Sequence, residues 1–219
     1  MTYRILFALF FTISLVACNQ SNRKISDTKT TTGEYAKTVS TAEGTALATF
    51  AGGCFWCTEA AMEQLKGVTE VVSGYSGGKE ENPTYRQVSL GQTSHAEAIQ
   101  IAYDPEVITY QQLLDVFFVA HDPTQLNRQG PDKGTQYRSA IYYRTPEEKA
   151  MIDEAIKKLN DSGKFSDPIV TEIASFKKFW IAEEYHQDYF KRNPNDRYML
   201  SVGKPKIDKV KKKFADWIQ

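Results

Sequence analysis

Residues 46–57 read Ala-Leu-Ala-Thr-Phe-Ala-Gly-Gly-Cys-Phe-Trp-Cys, and this stretch sets the start of the fold. Its first six residues are small or apolar and predict a strand, which Gly52-Gly53 ends. From Cys54 onward the apolar side chains recur at helical spacing as far as Leu65, and Gly67 is expected to end that helix. Cys54 is therefore predicted in the first turn of a helix that directly follows a strand.

This position predicts a reactive Cys54 thiol. Free N–H groups and the helix dipole at a helix N-terminus favour a thiolate, which lowers the thiol pKa. Cys57 follows one helical turn later and can reach Cys54 in a disulfide. A pair this close in sequence closes almost no loop, which favours redox chemistry over structural cross-linking. No second pair of Cys or His residues stands at ligand spacing, so no metal site is expected.

The N-terminal residues 1–17 are predicted to be a signal peptide. Residues 5–16 are almost entirely apolar, follow Arg4, and are too few to span a bilayer as a permanent helix. The run ends in Leu-Val-Ala-Cys18, which resembles the lipobox of bacterial lipoproteins, where the signal is removed before a cysteine that carries the lipid. The alternative is an ordinary cleaved signal with a chance cysteine.

Behind the predicted anchor, residues 18–44 are polar and predict a lipidated flexible tether, because they cannot bury enough apolar surface to fold. The folded domain is then expected to span 45–219. Together these features predict an exported protein that is anchored to a membrane by lipid, on the periplasmic or outer face of the cell envelope.

The composition supports one globular domain plus an appendage. The 219 residues carry 27 basic and 27 acidic side chains, so nucleic acid is not expected as a partner. The basic run Lys204–Lys213 is interpreted as a solvated helix face. We expect a monomer.

The order of predicted elements indicates the fold class. Strands are expected at 46–51, 68–75, 96–103, 139–144 and 169–174, helices at 54–66, 110–120, 146–159 and 183–190, and polar loops at 79–94 and 121–134. This order matches the split βαβ arrangement of ferredoxin-like folds. It predicts an α+β protein, a two-layer sandwich with a mixed sheet and long irregular loops.

Three polar clusters lie outside the cysteine motif. Alternation along the strand 96–103 points Glu97 to a buried face, where a carboxyl group keeps its proton and can act as an acid. A Glu paired with a surface Lys is the alternative, and spacing alone favours it. Tyr85 closes the turn Asn-Pro-Thr-Tyr, and the Gly-containing loop after His121 carries Asp132 and Tyr137. Long loops inside compact domains are usually functional.

Together these stretches resemble the A-type peptide methionine sulfoxide reductases. The shared motifs are Gly-Gly-Cys-Phe-Trp-Cys (52–57), Gly-Tyr-Ser-Gly-Gly (74–78), Asn-Pro-Thr-Tyr (82–85), His-Ala-Glu (95–97), Tyr-Asp-Pro (103–105), His-Asp-Pro-Thr-Gln (121–125) and Gly-Thr-Gln-Tyr-Arg-Ser-Ala-Ile-Tyr (134–142). The resemblance covers residues 47–195. It implies an oxidoreductase that repairs oxidised proteins and peptides by reducing methionine S-sulfoxide to methionine, with no cofactor.

The resemblance also implies roles for single residues. Cys54 aligns with the nucleophile that attacks the sulfoxide sulfur, and Glu97 would protonate the departing oxygen. Tyr85 and Tyr137 would hydrogen-bond that oxygen, and Asp132 falls at the other polar position of the pocket. The physical logic agrees, because a sulfoxide oxygen is a poor leaving group until it is protonated.

Phe55 and Trp56 would form an apolar wall for the S-methyl group of the substrate. After oxygen transfer Cys54 becomes a sulfenic acid, which needs a second thiol. Many relatives have Gly at position 57 and place resolving cysteines near the C-terminus, whereas here no cysteine follows Cys57. We predict that Cys57 resolves the sulfenic acid directly and that a thioredoxin-like dithiol reduces the disulfide.

Two other functions remain open from the residues alone. A general thiol–disulfide exchanger needs no buried acid and would survive Glu97→Gln, whereas a reductase would not. A lipoprotein binding module without enzymatic activity would survive Cys54→Ser. Outside the motifs, His121 and His186 are predicted to be structural and to hold loop backbone, and Tyr189 is predicted to pack in the C-terminal part of the core.

Overall fold

The computed structural model describes residues 44–219. Three predicted features lie outside this range, namely the signal peptide 1–17, the lipidation site Cys18 and all of the tether 18–44 except its last residue, Gly44. Within the described residues, no helix has the length and apolar character needed to cross a membrane.

A six-stranded sheet forms the centre of the domain. Its strands are β1 Ala46–Gly52, β2 Val68–Ser76, β3 Ala96–Tyr103, β6 Ser139–Tyr143, β7 Glu172–Ser175 and β8 Phe179–Ile181, and a separate hairpin consists of β4 Arg128–Gln129 and β5 Asp132–Lys133. The strand order is β7-β6-β1-β3-β2-β8. Only the β6–β7 pair is parallel, so the sheet is mixed.

Six α-helices accompany the sheet in the described range. They are α1 Phe55–Met62, α2 Tyr85–Ser89, α3 Tyr110–Ala120, α4 Pro146–Asp161, α5 Tyr189–Arg192 and α6 Lys204–Lys213, and a π-helical turn at Met199–Gly203 leads into the last of these. Helices α1, α3 and α6 pack against one another, and α4 packs on α3. The prediction of an α+β protein with a mixed sheet is confirmed.

The alternation of side chains along β3 directs Glu97 to the main core. Ile99 and Ile101, two and four residues further along, belong to that core, whereas Ala98 belongs to a smaller cluster with Tyr142. Successive side chains in a strand point to opposite faces, so Glu97 shares the face of Ile99 and Ile101. Burial of both faces of β3 explains why all eight of its residues are buried.

Several predicted boundaries were wrong. The predicted loop 79–94 contains α2, which begins with a capping box in which the side chain and backbone of Thr84 and Gln87 bond reciprocally. The loop 121–134 contains the hairpin β4–β5, and β8 was not predicted. The predicted helix 183–190 is divided into a 3₁₀ turn at Glu184–His186 and α5, because Asp188 between them has left-handed backbone angles (φ 51°, ψ 32°).

Candidate active site

The backbone before α1 places Cys54 at the entrance of the helix. Gly53 has φ +87°, and a Cβ atom there would lie 2.5 Å from Cβ of Gln129, so only glycine fits. Cys54 itself is the residue that precedes α1, and its carbonyl accepts a hydrogen bond from the Cys57 N–H at 3.2 Å. The predicted position of Cys54 is confirmed.

Cys54 lines a cavity of about 200 Å³. Eight residues line it, namely Cys54, Phe55, Trp56, Tyr85, Glu97, Asp132, Tyr137 and Tyr198. The fold therefore brings together every predicted site residue of the described range except Cys57, which is fully buried in the core. The sequence interpretation missed Tyr198.

Glu97 meets the requirement for a protonated acid. Its side chain is only 2% exposed, and Oε2 accepts a hydrogen bond from the Phe55 N–H at 3.1 Å. Burial raises the pKa of Glu97 to about 8, although the Phe55 N–H lowers it. No lysine or arginine pairs with Glu97 in the part of the chain that the structure describes, so the alternative of a surface ion pair is wrong.

The prediction of a lowered Cys54 pKa is wrong for the free protein. Cys54 is 5% exposed, and burial raises its pKa well above the ordinary value, with Cys57 and Glu97 adding to the effect. The helix N-terminus does not compensate for the loss of water. A hydrogen bond from Cys54 lowers the pKa of Cys57, and both thiols are free. The resting site thus holds a protonated Cys54 beside a protonated Glu97.

Tyr85 and Tyr137 are two of the three tyrosines that line the same cavity. Tyr85 is the first residue of α2, and its N–H donates to Glu183 Oε1 at 2.9 Å, while Glu183 Oε2 accepts from the Tyr75 hydroxyl at 2.8 Å. Burial raises the pKa of Tyr85 to about 12. Burial also raises the pKa of Tyr137, which ends a 3₁₀ turn after β5. Both side chains are therefore neutral hydroxyl donors at physiological pH.

Asp132 reaches the cavity from the hairpin β4–β5. Its Oδ2 accepts a hydrogen bond of 2.5 Å from the Tyr198 hydroxyl. Tyr198 lies just before the π-helical turn, so this bond joins the hairpin to the C-terminal segment across the cavity. Burial, followed by the charges of Cys54 and Cys57, raises the pKa of Tyr198.

The Trp56 ring is fixed by the C-terminal segment. Its indole N–H donates to His186 Nδ1 at 3.0 Å, and its ring stacks on Tyr189 with centroids 3.8 Å apart and planes 7° from parallel. Burial lowers the pKa of His186 to about 4, so the ring is neutral and able to accept. His186 is therefore not holding loop backbone, as was predicted, but the Trp56 side chain.

His121 is structural, as predicted, but it holds helix α3 and strand β6 and not loop backbone. One ring nitrogen bonds to the Phe117 carbonyl at 2.7 Å and the other to Ser139 Oγ at 2.8 Å. Burial lowers the pKa of His121 to about 4. Among residues 44–219 there is no group of three or more His, Cys, Asp or Glu side chains arranged to hold a metal ion.

The cavity thus combines a thiol, a second thiol behind it, a protonated carboxyl group and two hydroxyl donors. These groups define a thiol-dependent oxidoreductase. Residues 46–218 match the sequence profile of the family described as "Peptide methionine sulfoxide reductase". The chain belongs to this family, and its reaction is the reduction of methionine sulfoxide to methionine.

Individual relatives support this assignment. The chain is 58% identical over 169 residues to "Peptide methionine sulfoxide reductase MsrA" of Haloquadratum walsbyi, covering 77% of this chain and 96% of that protein. The reduced form of Mxr1 from Saccharomyces cerevisiae matches with a TM-score of 0.68 at 38% identity, over 73% of this chain and 92% of that one. Methionine sulfoxide reductase A of Corynebacterium diphtheriae matches with a TM-score of 0.64 at 35% identity, over 71% and 78%.

Proposed function

We propose that this cavity reduces the S epimer of methionine sulfoxide, free or within proteins, with Cys54 as the nucleophile and Glu97 as the acid. The observation that carries the proposal is the shared cavity of a thiol and a buried carboxyl group whose pKa is about 8. A carboxyl group with that pKa is protonated at neutral pH and is still able to donate its proton.

The first step transfers oxygen from the substrate to Cys54. The Cys54 sulfur attacks the sulfoxide sulfur while Glu97 protonates the oxygen, and Tyr85 and Tyr137 donate hydrogen bonds to it. The bond that forms between the two sulfur atoms breaks as the protonated oxygen passes from the substrate sulfur to the Cys54 sulfur. The products are methionine and a Cys54 sulfenic acid. The proton lost by the Cys54 thiol returns to Glu97, so the carboxyl group ends the step as it began. The raised pKa of Cys54 makes this proton transfer part of the step, because little thiolate exists beforehand.

The aromatic wall, defined as Phe55 and Trp56, would hold the S-methyl group of the substrate. Asp132, which accepts a hydrogen bond from the Tyr198 hydroxyl, would supply a polar contact to the substrate.

Turnover assays with each sulfoxide epimer of a capped methionine, with dithiothreitol as the reductant, test the proposal. We expect turnover of the S epimer and little turnover of the R epimer. Absence of reaction with either epimer would refute the assignment of this cavity.

Cys57 is proposed as the resolving thiol. It lies one turn of α1 beyond Cys54, and the two side chains share a hydrogen bond. Its thiol attacks the Cys54 sulfenic acid, which forms the Cys54–Cys57 disulfide and releases water. Cys57→Ser should release one methionine per protein molecule and then stop when a dithiol protein is the reductant. Unimpaired multiple turnover by that variant contradicts the role.

A thioredoxin-like dithiol protein is proposed as the reductant of this disulfide. Its thiolate would attack through the cavity, where Cys54 is the sulfur with exposed surface. Incubation of the oxidised protein with a reduced thioredoxin should restore two free thiols per chain, as counted with a thiol reagent. If dithiothreitol restores the two thiols but reduced thioredoxin does not, this class of partner is wrong.

For the N-terminal part we propose a lipoprotein with the signal peptide 1–17, lipidation at Cys18, a tether over 18–44 and the reductase domain over 45–219. The apolar run that ends in Leu-Val-Ala-Cys supports this proposal. It would hold a monomeric enzyme on the periplasmic or outer face of a membrane. Cys18→Ser in the full chain should abolish incorporation of labelled fatty acid and move the protein out of the membrane fraction. Persistent labelling of that variant contradicts the proposal.

We also propose that the central strands form a ferredoxin-like two-layer sandwich. The strand order β6-β1-β3-β2 with antiparallel neighbours supports this, as do α1 between β1 and β2 and α3 between β3 and β6. An experimental structure with the helices on both faces of these strands would contradict it.

A further inference from the structure

A second buried carboxyl group lies outside the proposed chemistry. Among the acidic side chains of residues 44–219, only Glu97 and Glu59 are buried, and Glu59 is 1% exposed. Glu59 belongs to α1 but does not line the cavity. Its Oε2 atom is inaccessible to solvent and has no hydrogen-bond partner within the described part of the chain. A carboxyl group in this setting is costly to bury, so a specific contact is expected to account for it.

That contact is with the backbone that starts α5. Glu59 Oε1 accepts a hydrogen bond of 3.3 Å from the Asp188 N–H. Asp188 has left-handed backbone angles, and its own side chain does not cap the helix. Burial raises the pKa of Glu59 to about 8, and the Asp188 and Tyr189 amides lower it, so both amides face the carboxyl group. A side chain of α1 thus caps the N-terminus of α5 and supports a strained turn.

The turn that Glu59 caps also carries the ring packed on the aromatic wall. Tyr189, the residue after Asp188, stacks face to face on Trp56. Trp56 lies three residues before Glu59, which places both side chains on one side of α1. His186, two residues before Asp188, accepts the Trp56 indole N–H. The hydrogen-bond acceptor of the Trp56 indole and its face-to-face stacking partner therefore both lie within three residues of the backbone that Glu59 holds, whereas Tyr198 meets the ring only by its edge, with centroids 6.3 Å apart.

We propose that Glu59 is a positioning residue that sets the plane of Trp56 by capping the Asp188–Tyr189 turn, and thereby determines how tightly the sulfoxide substrate binds. This proposal rests on the proposed role of Trp56 in the aromatic wall. Glu59 acts on substrate binding and not on oxygen transfer, since neither oxygen of its side chain reaches the cavity.

The test separates KM from kcat in variants of the full chain. Glu59→Leu removes the acceptor without leaving a charge or a large void, and it should raise KM for a capped methionine sulfoxide about tenfold with kcat within about twofold. Glu59→Gln keeps an oxygen acceptor and should restore KM to within about twofold of the original protein. If the Leu variant does not fold, Glu59→Met is used in its place, because its unbranched chain adapts to the site.

The control is Glu63→Gln, at the residue that follows α1, where the carboxylate bonds to Lys191 at 2.7 Å and meets the turn through the Asp188 side chain and not through its backbone. It should leave KM and kcat unchanged. A double variant with Tyr189→Leu gives a second readout. If Glu59 acts through Tyr189, the effects of the two substitutions on KM should not add.

Two outcomes overturn the proposal. One is a folded Leu or Met variant with an unchanged KM. The other is a loss that falls on kcat alone. Trp56→Ala distinguishes this failure from failure of the wall itself. If Trp56→Ala raises KM but removal of the Glu59 carboxyl does not, only the role of Glu59 is wrong. If Trp56→Ala leaves KM unchanged, the aromatic wall of the proposed function is wrong.

Discussion

Glu97→Gln should make the protein less active and more stable at the same time. Gln keeps an oxygen that can accept from the Phe55 N–H, so the local geometry is retained. It cannot donate a carboxyl proton to the sulfoxide oxygen, and general acid catalysis typically contributes about 10²- to 10⁴-fold to a rate. We therefore expect kcat to fall by about that factor.

The gain in stability follows from the pKa of Glu97, which folding raises from 4.5 to about 8. Between these values the folded protein holds a proton that the unfolded chain has released, so increasing pH favours the unfolded chain. The contribution of Glu97 to stability is complete below pH 4.5 and is lost as the pH rises towards 8. Each pH unit within this window is equivalent to about 1.4 kcal/mol. At pH 7 the original protein should be less stable than the Gln variant by about 3 kcal/mol.

Urea unfolding at pH 5 and pH 7, read by circular dichroism, measures this difference. The gap between the two proteins should widen by about 2.5 kcal/mol from pH 5 to pH 7. Glu59 also has a raised pKa but is present in both proteins, so its effect cancels. Glu59→Gln is the matched control, because it should gain stability in the same window without losing kcat. A Glu97→Gln variant whose stability follows pH as the original does would refute the buried, protonated acid.

Two further predictions concern the cavity and its backbone. Tyr85→Phe and Tyr137→Phe should each lower kcat by about 10- to 100-fold, because each removes one hydroxyl donor to the sulfoxide oxygen. The unfolding temperature should change little. Unchanged single-turnover rates in both variants would contradict this prediction. Gly53→Ala should destabilise the fold by about 2 kcal/mol or more in urea unfolding, because the added Cβ would meet Gln129. Gly91→Ala, also at positive φ but with nothing within 4 Å of the added Cβ, should lose less stability. Equal losses of stability would show that only the backbone angle matters.

Local signals in the sequence predicted several elements closely. The bounds of β3 and α3 agree with those predicted, and Thr145 caps α4 by accepting the Glu148 N–H. These features depend on alternation, helical spacing and side chains within one turn of the cap. The capping box of Thr84 and Gln87 is a signal of the same kind, and it was overlooked in a segment interpreted as a loop. The three-residue strand β8 has no comparable local signal, because pairing with β2 forms it.

The site was predicted from residues in the first two thirds of the chain. The residues that the C-terminal segment contributes to the site were not predicted. Tyr198 lines the cavity, while His186 and Tyr189 fix Trp56, which lies 130 residues before His186. Spacing cannot reveal such contacts, because they depend on how the segment returns across α1.

Short-range patterns in the sequence were enough to predict that a strand, two glycines and a helix present Cys54 and that Cys57 follows one turn later, whereas the burial of Glu97 was established by the fold. The short-range patterns follow from steric limits on the backbone and from periodicity, which act over a few residues. The protonation of Cys54 and Glu97, in contrast, depends on the complete fold. Burial leaves Cys54 protonated where the helix N-terminus alone predicts a thiolate, and it keeps the proton on Glu97. Loss of water outweighs the helix dipole, and exposure to water depends on the whole fold.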